Sequence, residues 1–255
     1  MRSGEQVESM TLAENANPFT GALGEEYQTL RLICPNHPLL AEKLGQYVGR
    51  WSQGASISGI EIGCGTGIST YSLLSAAPGL SLVALDASAT MLEQARANLS
   101  AEVAAGRVRF VEADALEALR ALPEKSLDVV ATNYATHNFR ADYRRQAFAE
   151  VYRALKPGGL FVNGDRFALD DREAHLALTQ ATLRHWFATF AKLGRPDVLE
   201  EWVIHLFSDE SPGRIMVFTP ALEELRQLGF APVEIEFRDG VDTLVAATKP
   251  RRPEA

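Results

Sequence analysis

The segment Ile60-Glu61-Ile62-Gly63-Cys64-Gly65-Thr66-Gly67 decides the fold of this chain. It continues an apolar stretch that begins at Ile57, places glycine at every second position, and leads into a helical pattern from Ile68. That order predicts a strand, a tight turn and a helix N-terminus, which is where α/β proteins bind a cofactor. Glycine tolerates a positive φ and has no Cβ to block an approaching ligand. The segment therefore predicts a nucleoside cofactor site.

Strands and helices alternate through the rest of the chain. Apolar runs predict strands at 57–62, 80–85, 108–111, 127–132 and 160–167, separated by helical patterns. Such serial βαβ units form a parallel sheet with helices on both faces. Two more strands, at 233–237 and 243–248, are joined by the hairpin signal Asp239-Gly240, so we expect an antiparallel pairing there. The predicted fold class is α/β: a Rossmann-like, doubly wound, mostly parallel seven-stranded sheet with an antiparallel terminal strand, plus N-terminal helices and a helical cap insertion.

Helical segments flank the predicted sheet. Residues 1–17 are expected to be a flexible N-terminus, and residues 18–52 are expected to form N-terminal helices. A helix over 143–155 is predicted to end at Pro157-Gly158-Gly159, because proline and paired glycines break helical geometry. Two apolar helical stripes follow the fifth strand, so residues 168–218 are predicted to be a helical cap insertion.

Composition disfavours several classes of function. The chain has 255 residues and a formal net charge of -8, and an acidic surface repels nucleic acid. No apolar run approaches the roughly 20 residues that a membrane span needs, and the N-terminal segment lacks the apolar core of a signal peptide. Cys34 and Cys64 have no CxxC or zinc-ligand spacing. We therefore expect a cytoplasmic protein with no nucleic acid and no membrane partner; a homodimer stays open.

The spacing of the glycines distinguishes two types of cofactor. A dinucleotide fingerprint, GxGxxG, would place its third glycine at position 68, which is Ile68. Glycines at 63, 65 and 67 with Glu61 upstream instead resemble motif I of the class I S-adenosylmethionine-dependent methyltransferases. Other motifs of that family follow in order, over roughly residues 19–249. The resemblance implies a single methyltransferase domain at 18–255, S-adenosyl-L-methionine as its cofactor, and a small-molecule substrate.

The resemblance also implies roles for individual residues. Asp86 would accept hydrogen bonds from both ribose hydroxyls, Met91 would pack on the adenine, and Asp114 would accept a hydrogen bond from the adenine amino group. Asn133 would lie near the transferred methyl. Taken alone, either aspartate is equally well a helix N-cap, and Met91 is more often a core residue. The implied cofactor-binding residues are Glu61, Gly63, Cys64, Gly65, Gly67, Asp86, Ala87, Met91, Asp114, Ala115 and Asn133.

Two polar residues that follow the fourth and fifth strands are the candidate catalytic groups. His137 carries an imidazole, which titrates near neutrality and suits a general base. Asp165 ends the next strand and is expected to face the same crevice. In the alternative interpretation, His137 orders its loop and Asp165 pairs with Arg166. The substrate is predicted to lie among Tyr27, His137, Asp165 and Trp186.

Metal-ligand residue types also occur at the end of the cap insertion. His205, Asp209 and Glu210 lie close together in the sequence. Their spacing matches no strong metal motif, so solvated or substrate-facing roles are favoured and no metal is predicted.

Three functions are compatible with these motifs. The first is a methyltransferase that moves a methyl group to O, N or C of a small molecule by in-line displacement. The second is a non-methylating enzyme similar to the carboxy-S-adenosylmethionine synthases, to which the arrangement of N-terminal helices and cap is loosely similar. No residue set clearly supplies the arginine that such synthases use for a carboxylated sulfonium. The third is a cofactor-binding, non-catalytic partner.

Overall fold

A seven-stranded sheet lies at the centre of the protein, for which a computed structural model describes residues 34–251. Its strands follow the order β3-β2-β1-β4-β5-β7-β6, and β7 alone is antiparallel to its neighbours. The predicted α/β fold with one antiparallel strand is therefore confirmed. The strands are β1 (Ile57–Ile62), β2 (Leu80–Asp86), β3 (Val108–Glu112), β4 (Leu127–Asn133), β5 (Leu155–Arg166), β6 (Val233–Asp239) and β7 (Asp242–Thr248).

Helices cover both faces of this sheet and create two separate cores. In β4, Val129 and Ala131 pack in one apolar cluster, whereas Val130 between them packs in the other. This alternation follows from the two-residue repeat of a strand that is buried on both faces. The helices are α1 (Asn36–Ser52), α2 (Ile68–Ala76), α3 (Ala89–Asn98), α4 (Ser100–Ala104), α5 (Ala115–Arg120), α6 (Ala141–Ala154), α7 (Arg172–Leu193), α8 (Pro196–Asp209) and α9 (Phe218–Gln227).

Close packing of α1 against α2 fixes the helix that follows the glycine turn. A Cβ on Gly45 would lie 2.4 Å from the carbonyl oxygen of Ser72, and one on Gly49 would lie 2.4 Å from that of Ala76. The two glycines are four residues apart, so they face α2 one turn above the other. Their lack of side chains lets the two backbones touch, which holds α2 in place beneath the predicted cofactor site.

The start of β5 differs from the sequence prediction. The helix predicted over 143–155 is α6, which ends at Ala154, and the strand begins at once with Leu155 rather than near 160. The Gly158 amide donates to the carbonyl of Lys249, and the Lys249 amide donates to that of Gly159. Because the antiparallel neighbour supplies these partners, the proline-glycine segment joins the sheet as an irregular strand instead of a free turn.

The cap helices α7 and α8 lie within the insertion predicted over 168–218. They pack on each other through a buried cluster of Trp186, Phe190 and Leu206. Of the N-terminal helices predicted over 18–52, the described part is α1, whereas residues 1–17 and 18–33 lie outside the described residues. Within residues 34–251, no helix combines the length and the apolar character that crossing a membrane requires.

Candidate active site

A cavity of about 500 Å³ lies at the carboxyl ends of β1 to β4. The order of the strands reverses between β1 and β4, and ligands of open α/β sheets bind at such a switch point. The volume of the cavity is in the range of small-molecule sites, about 300–1,000 Å³. Of the predicted cofactor residues, those in its wall are Gly63, Cys64, Gly65, Asp86, Ala87, Met91, Asp114, Ala115 and Asn133.

The three positions of the turn after β1 that hold glycine require it for different structural reasons. All three have a positive φ, at 68°, 53° and 96° for Gly63, Gly65 and Gly67. A Cβ on Gly63 would lie 2.4 Å from the Ala135 side chain, and one on Gly67 would lie 2.5 Å from that of Leu99. A Cβ on Gly65 would meet nothing within 4 Å among the described residues. Gly65 is therefore the position where the backbone is open to a ligand, while the other two permit packing.

Asp86 connects the end of β2 to the glycine turn. One carboxylate oxygen accepts a hydrogen bond from the Gly65 amide at 2.8 Å, and the other accepts from the Ser88 amide at 2.9 Å. A carboxylate has about four lone-pair sites, so each oxygen keeps one for a ligand. The side chain lines the cavity, and its free acceptors suit a pair of neighbouring hydroxyl groups.

Asp114 combines the two roles that the sequence left open. It is the N-cap of α5, where its carboxylate accepts from the Glu117 amide at 2.9 Å, and it also lines the cavity. The second oxygen accepts a hydrogen bond from the Tyr143 hydroxyl, at 2.9 Å. Tyr143 in turn accepts from the Leu116 amide and is itself part of the cavity wall, a role that the sequence did not reveal. Burial is the main cause that raises the pKa of Tyr143 to about 12. The phenol therefore stays protonated and can donate a hydrogen bond.

Met91 and Asn133 contribute an apolar and a polar part of the wall. Met91 is partly exposed, at 42%, which is unusual for a core methionine and leaves its thioether accessible from the cavity. The amide nitrogen of Asn133 donates to the His37 carbonyl at 3.4 Å, while its side-chain oxygen has no partner among residues 34–251. His37 also lines the cavity, and burial is the main cause that lowers its pKa to about 4. An unpaired buried amide oxygen beside a neutral imidazole suits a polar ligand.

Glu61 lies behind the glycine turn and not in the cavity wall. Its side chain is fully buried, and one oxygen accepts a hydrogen bond of 2.5 Å from the Thr70 hydroxyl on α2. The other oxygen has no partner in the described part of the chain. Burial raises the pKa of Glu61 to about 7, although hydrogen bonds from Ser69 and Thr70 oppose that rise. The predicted cofactor role of Glu61 would therefore have to act through the turn and α2, and the same holds for Gly67.

His137 and Asp165 form a buried pair on the other side of the loop that follows β4. The Nδ1 atom of His137 lies 2.5 Å from one oxygen of Asp165, and the Arg166 amide donates to the same oxygen. The other oxygen accepts from the hydroxyl and the amide of Thr136 and from the His137 amide. Burial alone would raise the pKa of Asp165, but the charge of His137 and these hydrogen bonds hold it below its ordinary value. An ionised Asp165 only accepts, so the proton of a neutral His137 lies on Nδ1 and the lone pair on Nε2.

Arg144 holds the loop that carries His137, a role that could not be predicted from the sequence. Its buried guanidinium donates to the carbonyl oxygens of Thr136, Phe139 and Arg214. Burial lowers its pKa, but arginine remains a cation at any ordinary pH. Three carbonyl acceptors for one cation fix the loop against the segment that follows the cap, and the loop orients His137.

Tyr134 lies between the cavity and the His137 pair. It lines the cavity, adopts a φ of 52°, and donates from its hydroxyl to Asp242 at the start of β7. Its ring centroid is 4.6 Å from that of His37 and 5.9 Å from that of His137. A left-handed conformation is unfavourable for tyrosine, and such strain is frequent where the chain must present side chains to a site.

The cap brings two further polar residues to His137. The Nε2 atom of His137 lies 3.7 Å from a carboxylate oxygen of Asp209, and Nε2 of His205 lies 3.5 Å from the same oxygen. These distances are too long for hydrogen bonds. Neither oxygen of Asp209 has a hydrogen-bond partner among the described residues, and burial raises the pKa of this carboxyl. We call His137, His205 and Asp209 the cap cluster. Sequence spacing could relate His205 to Asp209, which are four residues apart on α8, but not to His137.

Of the predicted substrate residues that the structure describes, His137, Asp165 and Trp186 all lie outside the cavity wall. Trp186 is 1% exposed and packs edge-on against Trp202 inside the cap, with ring centroids 5.6 Å apart. We therefore remove Trp186 from the substrate contacts, since its indole fills the space between α7 and α8. Tyr27 lies outside the described residues and remains a prediction.

Comparisons with known proteins agree on the type of domain. A family model described as a methyltransferase domain matches residues 60–159. The carboxy-S-adenosyl-L-methionine synthase of Vibrio cholerae serotype O1 is 29% identical over 117 residues, which cover 45% of this chain and 46% of the synthase. The chain thus spans about half the length of the curated relatives it matches.

Solved structures show the same fold at lower sequence identity. An O-methyltransferase family protein from Burkholderia thailandensis superposes with a TM-score of 0.62 and 19% identity, covering 90% of this chain and 60% of that chain. A phosphoethanolamine-type N-methyltransferase from Haemonchus contortus, solved with phosphomonomethylethanolamine and S-adenosylhomocysteine, gives a TM-score of 0.54 at 16% identity. That superposition covers 77% of this chain and 50% of the other.

Proposed function

We propose that this protein, whose residues 60–159 match a family model described as a methyltransferase domain, uses S-adenosyl-L-methionine to methylate a small molecule at O, N or C. The observation that carries the proposal is one cavity whose wall joins Gly65, Asp86, Asp114 and Asn133. These residues end or follow β1 to β4, and each leaves polar groups or open backbone toward the cavity. The cofactor, when bound, supplies a methyl group on a positively charged sulfur.

The polar groups of the wall fit such a ligand. Asp86 offers free acceptor positions to a ribose diol, and Asp114 is placed to accept from an adenine amino group. Met91 offers an apolar surface for a flat base. No arginine or lysine lines the cavity within residues 34–251, and the two carboxylates favour a cationic ligand. We propose direct contacts for these residues and indirect support for Glu61 and Gly67.

The acceptor is proposed to bind beside Tyr134, between the cavity and His137. Methyl transfer requires the protein to align the acceptor atom and to remove its water, and a base is needed only when that atom carries a proton. Asp165 holds the Nδ1 proton of His137, which leaves Nε2 free to take a proton. Asp165 is fully buried and its oxygens are occupied, so we propose it as a positioning residue that acts through His137.

A second candidate function follows from the curated relatives. Carboxy-S-adenosyl-L-methionine synthases are among the curated proteins that align with this chain, and an enzyme that modifies the cofactor itself would use the same cavity. Recognition of an added carboxylate calls for a cation, typically arginine. Because the described cavity wall carries carboxylates and no arginine, methyl transfer to a separate acceptor is the better supported function. A cytoplasmic location and a homodimer remain predictions.

Product analysis tests the proposal directly. Purified full-length protein is incubated with S-adenosyl-L-methionine carrying a deuterated methyl group and with pools of small phenols, amines and carbon acids. We expect S-adenosylhomocysteine together with an acceptor that has gained the labelled methyl, both detected by mass spectrometry. A cofactor that gains a carboxyl group would support the synthase function instead. Tight cofactor binding without turnover of any pool would indicate a non-catalytic partner.

A further inference from the structure

The cap cluster has the composition of a metal site. His137, His205 and Asp209 each offer one ligand atom, and these three atoms lie within 4.8 Å of one another. Two imidazoles and one carboxylate form a ligand set that leaves coordination positions open, as in mononuclear sites for first-row transition metals. We propose that this cluster binds one divalent transition-metal ion, of the class to which Zn²⁺ and Fe²⁺ belong. The proposal does not rest on methyl transfer.

The distances suit a single ion after a small adjustment. Ligand bonds of about 2.1 Å in a tetrahedral arrangement place ligand atoms about 3.4 Å apart. Nε2 of His137 and Nε2 of His205 lie 3.7 Å and 3.5 Å from the same oxygen of Asp209. The His205 side chain is 46% exposed, so it can rotate toward the other two without disturbing the core.

Asp209 gives an independent reason to expect a ligand. Its side chain is 7% exposed, yet neither carboxylate oxygen has a hydrogen-bond partner within the described residues. A buried carboxylate without hydrogen bonds is costly, and buried charges in proteins are normally paired or bound to a metal. The nearby Arg166, whose guanidinium lies 3.7 Å from Glu210, acts on Asp209 through its charge but donates no hydrogen bond to it.

His137 is already oriented as a metal ligand would be. Metal-bound histidines usually donate their second ring N–H to a carboxylate or carbonyl, which fixes the tautomer and the ring plane. The hydrogen bond from Nδ1 of His137 to Asp165 does this and leaves Nε2 directed at the cluster. A bound ion and a transferred proton would use the same Nε2 lone pair, so His137 cannot serve both at one moment.

Calorimetric titration of the tag-free full-length protein with Zn²⁺ tests the site. We expect one equivalent of Zn²⁺ to bind. Asp209→Asn and His205→Gln should each weaken that binding by about 100-fold or more, because loss of a residue that only hydrogen-bonds a metal ligand already lowers metal affinity by about 10–100-fold. His185→Gln is the matched control: it removes an exposed histidine from α7 and should leave the affinity unchanged. Co²⁺ gives a second reading, because bound Co²⁺ at low coordination number absorbs visible light and the variants should lose that absorption.

Two results would overturn the site. One is the absence of stoichiometric Zn²⁺ binding by the native protein; the other is unchanged Zn²⁺ affinity in both Asp209→Asn and His205→Gln. S-adenosyl-L-methionine binding, measured on the same samples without metal, is expected to be equal in all of them. Failure of the metal site therefore leaves the proposed methyl transfer untouched, and loss of cofactor binding in the native protein would count against that function alone.

Discussion

The cofactor cavity and the cap cluster contrast in how their polar groups are satisfied. Around the cavity, Asp86 accepts from backbone amides of the turns after β1 and β2, Asp114 accepts from an amide of the helix that it caps, and both still face open space. In the cap cluster, Asp209 is buried without a hydrogen bond among the described residues; His205 comes from the same helix, and His137 comes from the loop after β4. The first region forms where the ends of adjacent strands meet, and its carboxylates face an open cavity. The second depends on the docking of α8, which brings His205 and Asp209 to His137.

Buried carboxylates extend this contrast. Glu61 and Asp165 are both fully buried, but the pKa of Glu61 is raised to about 7 whereas that of Asp165 is lowered. Glu61 accepts hydrogen bonds from the Ser69 and Thr70 side chains, whereas Asp165 accepts from backbone amides, from the Thr136 hydroxyl and from His137. The difference shows that a neighbouring charge and hydrogen-bond donors, and not burial alone, decide the direction in which a carboxyl pKa moves. It predicts that the two regions respond differently to substitution.

The largest expected effect separates chemistry from cofactor binding. For an acceptor that must lose a proton, His137→Gln should lower kcat by about 100- to 10,000-fold, the usual contribution of a general base, with little change in cofactor affinity. Steady-state kinetics across pH measure kcat, and calorimetry measures the affinity for the cofactor. His185→Gln serves as control. Full turnover in His137→Gln at every pH would remove His137 from the chemistry.

Glu61 should make the stability of the cofactor region depend on pH. Its pKa is raised from 4.5 to about 7 in the folded protein, so the folded state holds this proton more tightly. The resulting stabilisation is complete below pH 4.5 and is lost as the pH rises through about 7. By linkage, the free energy of unfolding should fall by up to about 3 kcal/mol across this window relative to Glu61→Gln.

Urea unfolding of the cofactor-free protein and of Glu61→Gln at several pH values checks this difference. Thr70→Ser is a useful companion, since it keeps the hydroxyl that donates to Glu61 and should keep the native pH dependence. Parallel pH profiles for the native protein and Glu61→Gln would show that Glu61 ionises at its ordinary pKa.

Asp86 should govern affinity for the cofactor. Hydrogen bonds to a charged group contribute about 1.5–3 kcal/mol, so Asp86→Ala should raise the Kd for S-adenosyl-L-methionine by about 100-fold. Glu112→Ala, at the exposed position paired with Asp86 on β3, is the matched control and should leave the Kd unchanged. Asp209→Asn should also leave it unchanged. An unaltered Kd in Asp86→Ala would refute the ribose contact.

The smallest effect distinguishes two glycines of one turn. A Cβ on Gly65 enters open space at the cavity, so Gly65→Ala should weaken cofactor binding by about tenfold. Because Gly65 has a positive φ, the same change should lower the free energy of unfolding by about 1–2 kcal/mol. A Cβ on Gly67 would collide with Leu99, so Gly67→Ala should mainly lower the melting temperature. Calorimetry and thermal unfolding of both variants provide the comparison. Equal losses of affinity would contradict the separate roles.

The sequence predicted the cavity well because its residues lie beside strand ends. The carboxyl ends of parallel strands meet at one edge of a sheet, so the turn after β1, Asp86 at the end of β2, Asp114 after β3 and Asn133 at the end of β4 had to come together. Tyr143 and Arg144 were missed because they belong to α6, whose rotation around its axis depends on packing. Trp186 was misplaced since an apolar stripe predicts burial without naming the surface that it covers.

By itself, the sequence determined the sheet, the glycine turn and the type of cofactor. Those features depend on short-range patterns: alternation, glycine spacing, and an acid directly after a strand. Only the tertiary structure decided that His137 is bound to Asp165 and meets His205 and Asp209. That meeting requires β4, β5 and α8 to pack together, and no local preference of the chain encodes the distance between their side chains. The physical reason is that long-range contacts arise from the packing of whole elements, whereas a turn is set by the residues within it.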